Sequence, residues 1–418
     1  MMKRPLMFGV GVLGFGAWVG AAGPATAATR PAVALAWQRL PDLPDPLGVA
    51  GAFVGESGGA VLVAGGANFP GGVPWRGGRK VCSGAVHVLV EGSAGTAVPT
   101  GGAGPLRWVA NAGALPRALS YGVSVTTDRG VLIIGGCDAS QCYADVYRAE
   151  WTPDHGVRTT VLPSLPRPLA FMAGALVGRT VFVAGGQETV ASPRATRSVY
   201  SLDLAAEGTA DFAWREEPSW PGPARVLAVG AGQAGEGGPA FYLFSGRDVQ
   251  PGQLPRTLSD AYRFEPKTRH WVTLGPVRDG DRETCVMAGT AVPHGDHTIL
   301  LLGGDSGELF TPIEQRRAEI AATADPDARR AAEAGLNETL DKHPGFAGTV
   351  IAYDTVAGTY ETVGRLPRPA PVTATAIPWR RGILLPTGEV RPGVRSPAVW
   401  HGTPLPPGTG NASAGRTE

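Results

Sequence analysis

AVLVAGG (residues 60–66), VLIIGG (131–136), TVFVAGG (180–186), FYLFSG (241–246), ILLLGG (299–304) and ILLPTG (383–388) repeat one pattern along the chain. Each is a continuous apolar run closed by paired glycines or, in two of the six, by Ser245-Gly246 and Thr387-Gly388. Runs this short, apolar at consecutive positions, read as strands buried on both faces between packed sheets. Upstream lies a second strand rich in small residues, as in GVAGAFVG (48–55), YGVSVTT (121–127) and FMAGALVG (171–178). A unit recurring six times predicts a repeat architecture in which each copy buries its faces against its neighbours.

Working outward, aromatic residues recur downstream of the runs at Trp108, Trp151, Trp214, Trp271 and Tyr360, each followed by Pro and the next repeat. The period of about fifty residues is that of Kelch blades, with four strands per blade. The sixth repeat reaches Trp400 and then enters a Pro-, Gly- and Ser-rich tail, so its outermost strand is missing. The segment VALAWQRLPDLP (33–44) has the aromatic-then-Pro signature of an outer strand with no blade before it. Trp37 therefore supplies the missing strand, and the expected fold is all-β: a six-bladed Kelch-type β-propeller closed by its N-terminal strand. Residues 312–343 break the pattern, with Asp325-Pro326 resembling an N-cap and first helical position ahead of an Ala-, Arg- and Glu-rich stretch, which predicts a helical insertion in blade 5.

Composition agrees with many short strands joined by tight turns: 61 Gly, 38 Pro, 43% apolar and only 17% charged residues. A net charge of +1 supplies no global field to draw in nucleic acid or an anionic membrane, so recognition by charge must be local. Lys3 and Arg4, the apolar run from Leu6 to Val19 and Ala25-Thr26-Ala27 read as a secretory signal over residues 1–28. The propeller is then expected over 29–403, a disordered tail over 404–418, and the mature protein in the periplasm or outside the cell, free of the membrane. Export makes the cysteines disulfide candidates: Cys137 and Cys142 are near enough to staple one loop, while Cys82 and Cys285 pair or stay free. His294 and His297 form a polar turn, and the seven histidines show no metal-ligand spacing.

In a four-stranded blade the loops entering the innermost strand and those following the glycines share one face of the disc. Entry loops carry Arg117, Arg167, Arg225, Arg282 and Arg368, and the post-glycine loops carry Asn68, Asp138, Gln187, Arg247, Asp305 and Glu389. A guanidinium donates two parallel hydrogen bonds to a carboxylate and stays charged at physiological pH, so this rim predicts an anionic small-molecule ligand. The densest candidate is TGEVRPGVRSPAVW (387–400), which places Glu389, Arg391 and Arg395 in one loop.

At this loop the chain resembles the N-acetylneuraminate epimerases, periplasmic Kelch propellers that interconvert the anomers of sialic acid. The family's Gly-Glu, basic, Pro-Gly-x-Arg loop is matched by Gly388, Glu389, Arg391, Pro392, Gly393 and Arg395; Arg117 followed by Tyr121-Gly122-Val123-Ser124 and the helical insertion also agree. The blade order differs, with blades similar to the family's last two standing first, as in a circular permutation. The resemblance implies an acidic keto sugar as substrate, no cofactor, and Glu389 and Arg395 as catalytic residues. Arg391, Arg117, Tyr121, Asn68, Arg167, Arg225, Arg247 and Asp305 complete the expected substrate-binding set. Ring opening of a hemiketal needs one general base and one general acid. The repeated Ser-x-Asp-x-Gly-x-Thr-Trp boxes of sialidases do not occur, and the alternative is a non-catalytic Kelch propeller that binds a glycan or protein partner.

Overall fold

The strands assemble into six four-stranded antiparallel sheets, in a computed structural model that describes residues 34–92, 105–191 and 193–405. The six innermost strands, at Phe53–Ser57, Val123–Thr127, Ala173–Val177, Val229–Gly235, Thr290–His294 and Ile377–Trp379, begin blades 1 to 6. The apolar runs are the second strands, and Ala60–Ala64 and Gly130–Ile134 are buried at every position. They are buried on both faces because neighbouring blades share cores. Phe53, Leu62, Val131 and Ile133 pack together between blades 1 and 2, and Val54, Val61, Trp379 and Leu384 between blades 1 and 6.

The glycine slots share one backbone solution. The first residue of each pair is left-handed, at φ 65° for Gly65, 58° for Gly135, 73° for Gly185 and 62° for Gly303, and also at φ 58° for Ser245 and 46° for Thr387. The two substitutes offset that strain with their hydroxyls. Ser245 Oγ accepts from Val286 N of the next blade at 2.9 Å, and Thr387 Oγ1 accepts from Val49 N of blade 1 at 2.8 Å. At the junctions of blades 1–2, 2–3 and 3–4, the backbone N–H of the second glycine bonds the next blade instead, as Gly66 N does to Leu119 O at 2.9 Å.

Blade 6 closes the ring as expected: Leu35–Leu40 pairs antiparallel with Val394–Pro404, with Trp37 opposite Gly402. A Cβ on Gly402 would lie 2.8 Å from the Trp37 ring, so glycine there admits the indole. In four of the six blades a recurrent aromatic fastens the blade to the one before. Trp108, Trp214 and Trp271 donate Nε1–H to the carbonyls of Pro41, Pro163 and Pro218, and the Tyr360 hydroxyl donates to Gly275 O. Trp151 departs from this series, lying in the third strand of blade 2, Val146–Thr152.

The blade-5 insertion is two helices, α1 (Phe310–Ala322) and α2 (Pro326–Asp341). Asp325 caps α2 by accepting from Asp327 N and Ala328 N, with Pro326 in the first turn. The last strand runs to Pro404, slightly beyond the expected start of the tail, and Leu405 N still bonds Ala34 O. The expected signal, residues 1–28, and the tail from 406 onward lie outside the described residues. No helix among the described residues is long and apolar enough to cross a membrane.

Deleting residues 34–40 would uncover Val394–Pro404 as an exposed edge strand. We expect at least about 3 kcal/mol of lost stability and concentration-dependent aggregation, read by thermal unfolding and size-exclusion chromatography.

Candidate active site at the propeller mouth

The residue after each second glycine forms an isolated antiparallel bridge to its blade's entry loop: Ala67 with Ala50, Cys137 with Ser120, Gln187 with Ala170, Arg247 with Val226, Asp305 with Met287 and Glu389 with Val372. These six positions are structurally equivalent and encircle the mouth. Arg247, Asp305 and Glu389 therefore stand where expected, whereas in blades 1 and 2 the equivalent residues are Ala67 and Cys137, not Asn68 and Asp138. In extended chain one step reverses the side chain, and both neighbours are committed elsewhere. Asn68 Nδ2 donates to Asp45 Oδ2 at 3.2 Å and to Gly48 O at 3.3 Å. Asp138 closes its own turn by accepting from Ser140 N and Gln141 N and from the Tyr143 hydroxyl.

Glu389 and Arg395 face each other across the hairpin of Gly382–Arg391 and Val394–Pro404, whose register pairs them directly. The tight Pro392-Gly393 turn makes this possible, with Gly393 at φ 73°. Arg395 Nη2 lies 3.3 Å from Glu389 Oε2, with the Arg395 side chain 4% and the Glu389 side chain 19% exposed. Glu389 Oε1 accepts from Gly393 N at 2.9 Å. Burial raises the Glu389 pKa above its ordinary value, although Arg395, the Gly393 N–H and Lys80 all favour the carboxylate.

Arg395 is held on three sides. Nε donates to Ala67 O at 3.3 Å, Nη2 approaches the Tyr121 hydroxyl at 3.4 Å, and the guanidinium lies 4.4 Å from the Phe69 ring centroid. Its Nη1 is buried without a hydrogen-bond partner among the described residues. A buried donor left unpaired is costly unless a ligand supplies the acceptor. Tyr121 joins this group to the propeller axis. Its pKa is raised, above all by burial, so it is a neutral phenol, and its ring stacks on Phe171 at 4.8 Å between centroids. It also lines the axial channel, a cavity of about 170 Å³ whose other walls carry no titratable side chain. Beside Arg395 a second cavity of about 230 Å³ is bounded by Pro46, Asn68, Phe69, Val73 and Gly393.

Several expected ligand-binding arginines are used structurally. Arg225 does not face a ligand as expected: it is 0% exposed, bonds Asp260 through both terminal nitrogens at 2.9 and 2.7 Å, and donates to Ser245 O, so it ties the entry loop of blade 4 to that blade's second and third strands. Arg117 is exposed, pairs with Asp145 at 2.9 Å and lies over Tyr143. Arg167 pairs with Glu188 at 3.2 Å, and Arg282 with Glu308. Arg247 lies over the Phe310 ring of α1, its pKa lowered by burial, near Asp305, which burial shifts upward. Lys80 and Phe69 are the site residues that the sequence did not mark.

Cys137 and Cys142 sit opposite each other in an antiparallel bridge, yet both are free thiols, so the expected disulfide is not formed. Cys82 belongs to their cluster, hydrogen-bonded to Ser120 at 3.3 Å, whereas Cys285 lies at the blade 4–5 junction against Ser245. That separation excludes a Cys82–Cys285 pair. No cluster of three or more His, Cys, Asp or Glu side chains suited to a metal occurs among the described residues.

The insertion is tied across the rim. Asp341 at the end of α2 accepts from Trp75 Nε1 at 2.7 Å and pairs with Arg76 of blade 1, and its carbonyl accepts from Arg391 Nη1 at 3.2 Å. The Arg76 and Trp75 hydrogen bonds hold the Asp341 carboxyl below its ordinary pKa.

A family model described as N-acetylneuraminate epimerase matches residues 162–406. That span begins where blade 2 ends and leaves blades 1 and 2 outside the match. The N-acetylneuraminate epimerase of Yersinia enterocolitica serotype O:8 / biotype 1B is 27% identical over 247 residues, 57% of each chain. That of Pasteurella multocida strain Pm70 is 28% identical over 244 residues, 58% of each. The chain thus spans somewhat over half the length of these curated relatives. A solved structure described as "Structure of YjhT" superposes with a TM-score of 0.57 at 15% identity, covering 85% of this chain and 95% of that one, a likeness of fold.

Two outcomes follow from this geometry. Replacing Arg225 with Ala leaves the Ser245 carbonyl without its guanidinium donor and Asp260 with the Tyr262 hydroxyl but no countercharge, and should cost roughly 3 kcal/mol in chemical denaturation. Replacing Asp341 with Ala releases α2 from blade 1, and tryptic cleavage after Arg329 or Arg330 should become several-fold faster in limited proteolysis.

Proposed function

The chain belongs to the N-acetylneuraminate epimerase family, and from that membership and the mouth geometry we propose that it is a mutarotase interconverting the anomers of N-acetylneuraminic acid or a closely related acidic keto sugar. The observation that carries this reading is the buried Arg395 guanidinium, with one nitrogen unpartnered, held against a carboxyl group of raised pKa.

Mutarotation moves a proton off the anomeric hydroxyl and a proton onto the ring oxygen; the ring carbon–oxygen bond breaks, a ketone forms, and the ring recloses on the other face. Glu389 is the general base for the anomeric hydroxyl. Its desolvation supports the role, because a carboxylate with pKa above the ordinary range both accepts and returns a proton more readily near neutrality. Arg395 presents Nη1 to the substrate carboxylate and steadies charge developing on oxygen. The Tyr121 phenol is 3.4 Å from Arg395 Nη2, and its proton has no acceptor among the described residues. It is the hydrogen-bond donor proposed for the ring oxygen. The proton that Glu389 takes from the anomeric hydroxyl is delivered to the ring oxygen as the carbon–oxygen bond breaks, while Tyr121 stays a neutral donor; on reclosure the same carboxylate takes the proton from the attacking hydroxyl and returns it to the carbonyl oxygen, so the scheme balances without metal or organic cofactor.

The test is anomer exchange of freshly released N-acetylneuraminic acid followed by NMR. Glu389→Gln should slow enzymatic exchange by roughly 100-fold or more, within the range expected for a lost general base. For the unmodified protein kcat/KM should fall as pH drops and Glu389 takes up a proton, with the midpoint above the ordinary Glu value of about 4.3. Equal exchange rates with and without the protein would replace this reading by non-catalytic binding.

A further inference from the structure

We propose that Lys80 is the second cation on the substrate's carboxylate, and that it makes the site selective for acidic over neutral sugars; this rests on the mutarotase reading. Lys80 lies outside the Glu-Arg hairpin and has no repeat-derived signature. It is brought to the site by a two-residue ribbon, Ala67–Asn68 paired with Val81–Cys82. One step beyond the Asn68–Val81 pair, Phe69 and Lys80 leave that ladder together. Phe69 supports the Arg395 guanidinium and Ala67 O accepts from Arg395 Nε, so the same ribbon orients both cations.

The ammonium is placed without being satisfied. Lys80 Nζ stands 5.0 Å from the centroid of the Tyr121 ring, the ring whose hydroxyl meets Arg395. The side chain is partly buried and makes no ion pair or hydrogen bond with any described residue. A lysine on an aromatic face gains a modest attraction and keeps three donors to offer. Neighbouring charges do not balance it. Glu389 is already engaged by Arg395 and Gly393 N, and Asp341 by Arg76 and Trp75. Arg395 and Lys80 thus both act on a single carboxylate, Glu389, leaving positive charge that an anionic ligand neutralises. Electrostatics agree, since the charge of Lys80 favours the ionised form of Glu389.

A substrate carboxylate between Arg395 Nη1 and Lys80 Nζ would satisfy the orphaned guanidinium donor and the unpaired ammonium together. Arg395 supplies direction through its planar fork, and Lys80 supplies a compact charge on a flexible stem. Neutral sugars would leave both cations unmatched, which is how a site built for a charged group rejects analogues lacking it.

The experiment compares the unmodified protein with Lys80→Met and Lys80→Arg, using N-acetylneuraminic acid and its methyl ester, with binding measured by calorimetry and exchange by NMR. Lys80→Met should weaken acid binding roughly 10- to 100-fold, the range for a hydrogen bond to a charged group. Its loss should be larger in KM than in kcat, with ester binding little altered and the melting temperature preserved. Lys80→Arg should recover most of the affinity. Equal acid affinity in Lys80→Met and the unmodified protein would overturn the proposal, as would equal weakening of acid and ester, which marks lost packing. If the unmodified protein binds the acid without speeding exchange while Lys80→Met loses that binding, the mutarotase reading falls and the role of Lys80 stands. Absence of acid binding by the unmodified protein overturns both.

Discussion

A closed ring of six backbone hydrogen bonds around the propeller axis sets the positions of everything at the mouth. Tyr121 N donates to Gly51 O, Phe171 N to Tyr121 O, Leu227 N to Phe171 O, Ala288 N to Leu227 O, Thr373 N to Ala288 O, and Gly51 N to Thr373 O, all between 2.7 and 2.9 Å. Each of these residues is left-handed, with φ from 48° at Thr373 to 66° at Gly51. Five carry side chains, for which this conformation costs on the order of 1 kcal/mol or more each. Such strain persists only where the surroundings over-determine it. No hydrogen bond of the ring is local in sequence, and the last forms only when blade 6 meets blade 1, so closure by Leu35–Leu40 and the geometry of the site are parts of one cooperative structure.

Above this symmetric backbone the side chains are not symmetric. The equivalent bridge positions hold Ala67, Cys137, Gln187, Arg247, Asp305 and Glu389, so one main-chain arrangement offers an apolar group, a thiol, an amide, a cation and two carboxyls around one opening. Function is selected by which side chain occupies which copy. Glu389 gains its partner because blade 6 alone extends its second and third strands into the long hairpin that returns Arg395 opposite it. Asp305, by contrast, turns its carboxyl to Gly307 N at the root of the insertion.

The propeller was legible because its signals are local and repeated. The apolar runs and their glycine slots are dictated by burial on both faces and a left-handed turn, and even the Ser245 and Thr387 substitutes kept their place. The Glu-Arg hairpin was legible for a similar reason, its two partners being six residues apart around a Pro-Gly turn. What escaped depends on distant partners. Arg117 and Arg225 look alike in their entry loops, but Asp260, 35 residues downstream, turns the second into a buried brace. Asn68 and Asp138 were displaced by a single step of strand alternation. Lys80 was hidden because only a two-residue ribbon carries it to the mouth.

The buried Glu389–Arg395 pair is better understood as a poised group than as a source of stability. Removing two charges from water costs several kcal/mol per ion after relaxation, and attraction offsets this only when the remaining donors and acceptors are satisfied. Here they are not, since Arg395 Nη1 has no partner. A hydrophobic pair of similar volume would suit a purely structural hairpin better. The surrounding groups have the same character: Tyr121 holds an unspent proton, and Lys80 an unspent charge. Three groups with unused capacity, linked through the Tyr121 ring and hydroxyl, are hard to explain as packing, because each would be cheaper to replace than to bury. The ligand proposed above, with a carboxylate on the carbon whose hydroxyl and ring oxygens exchange a proton, would use all three.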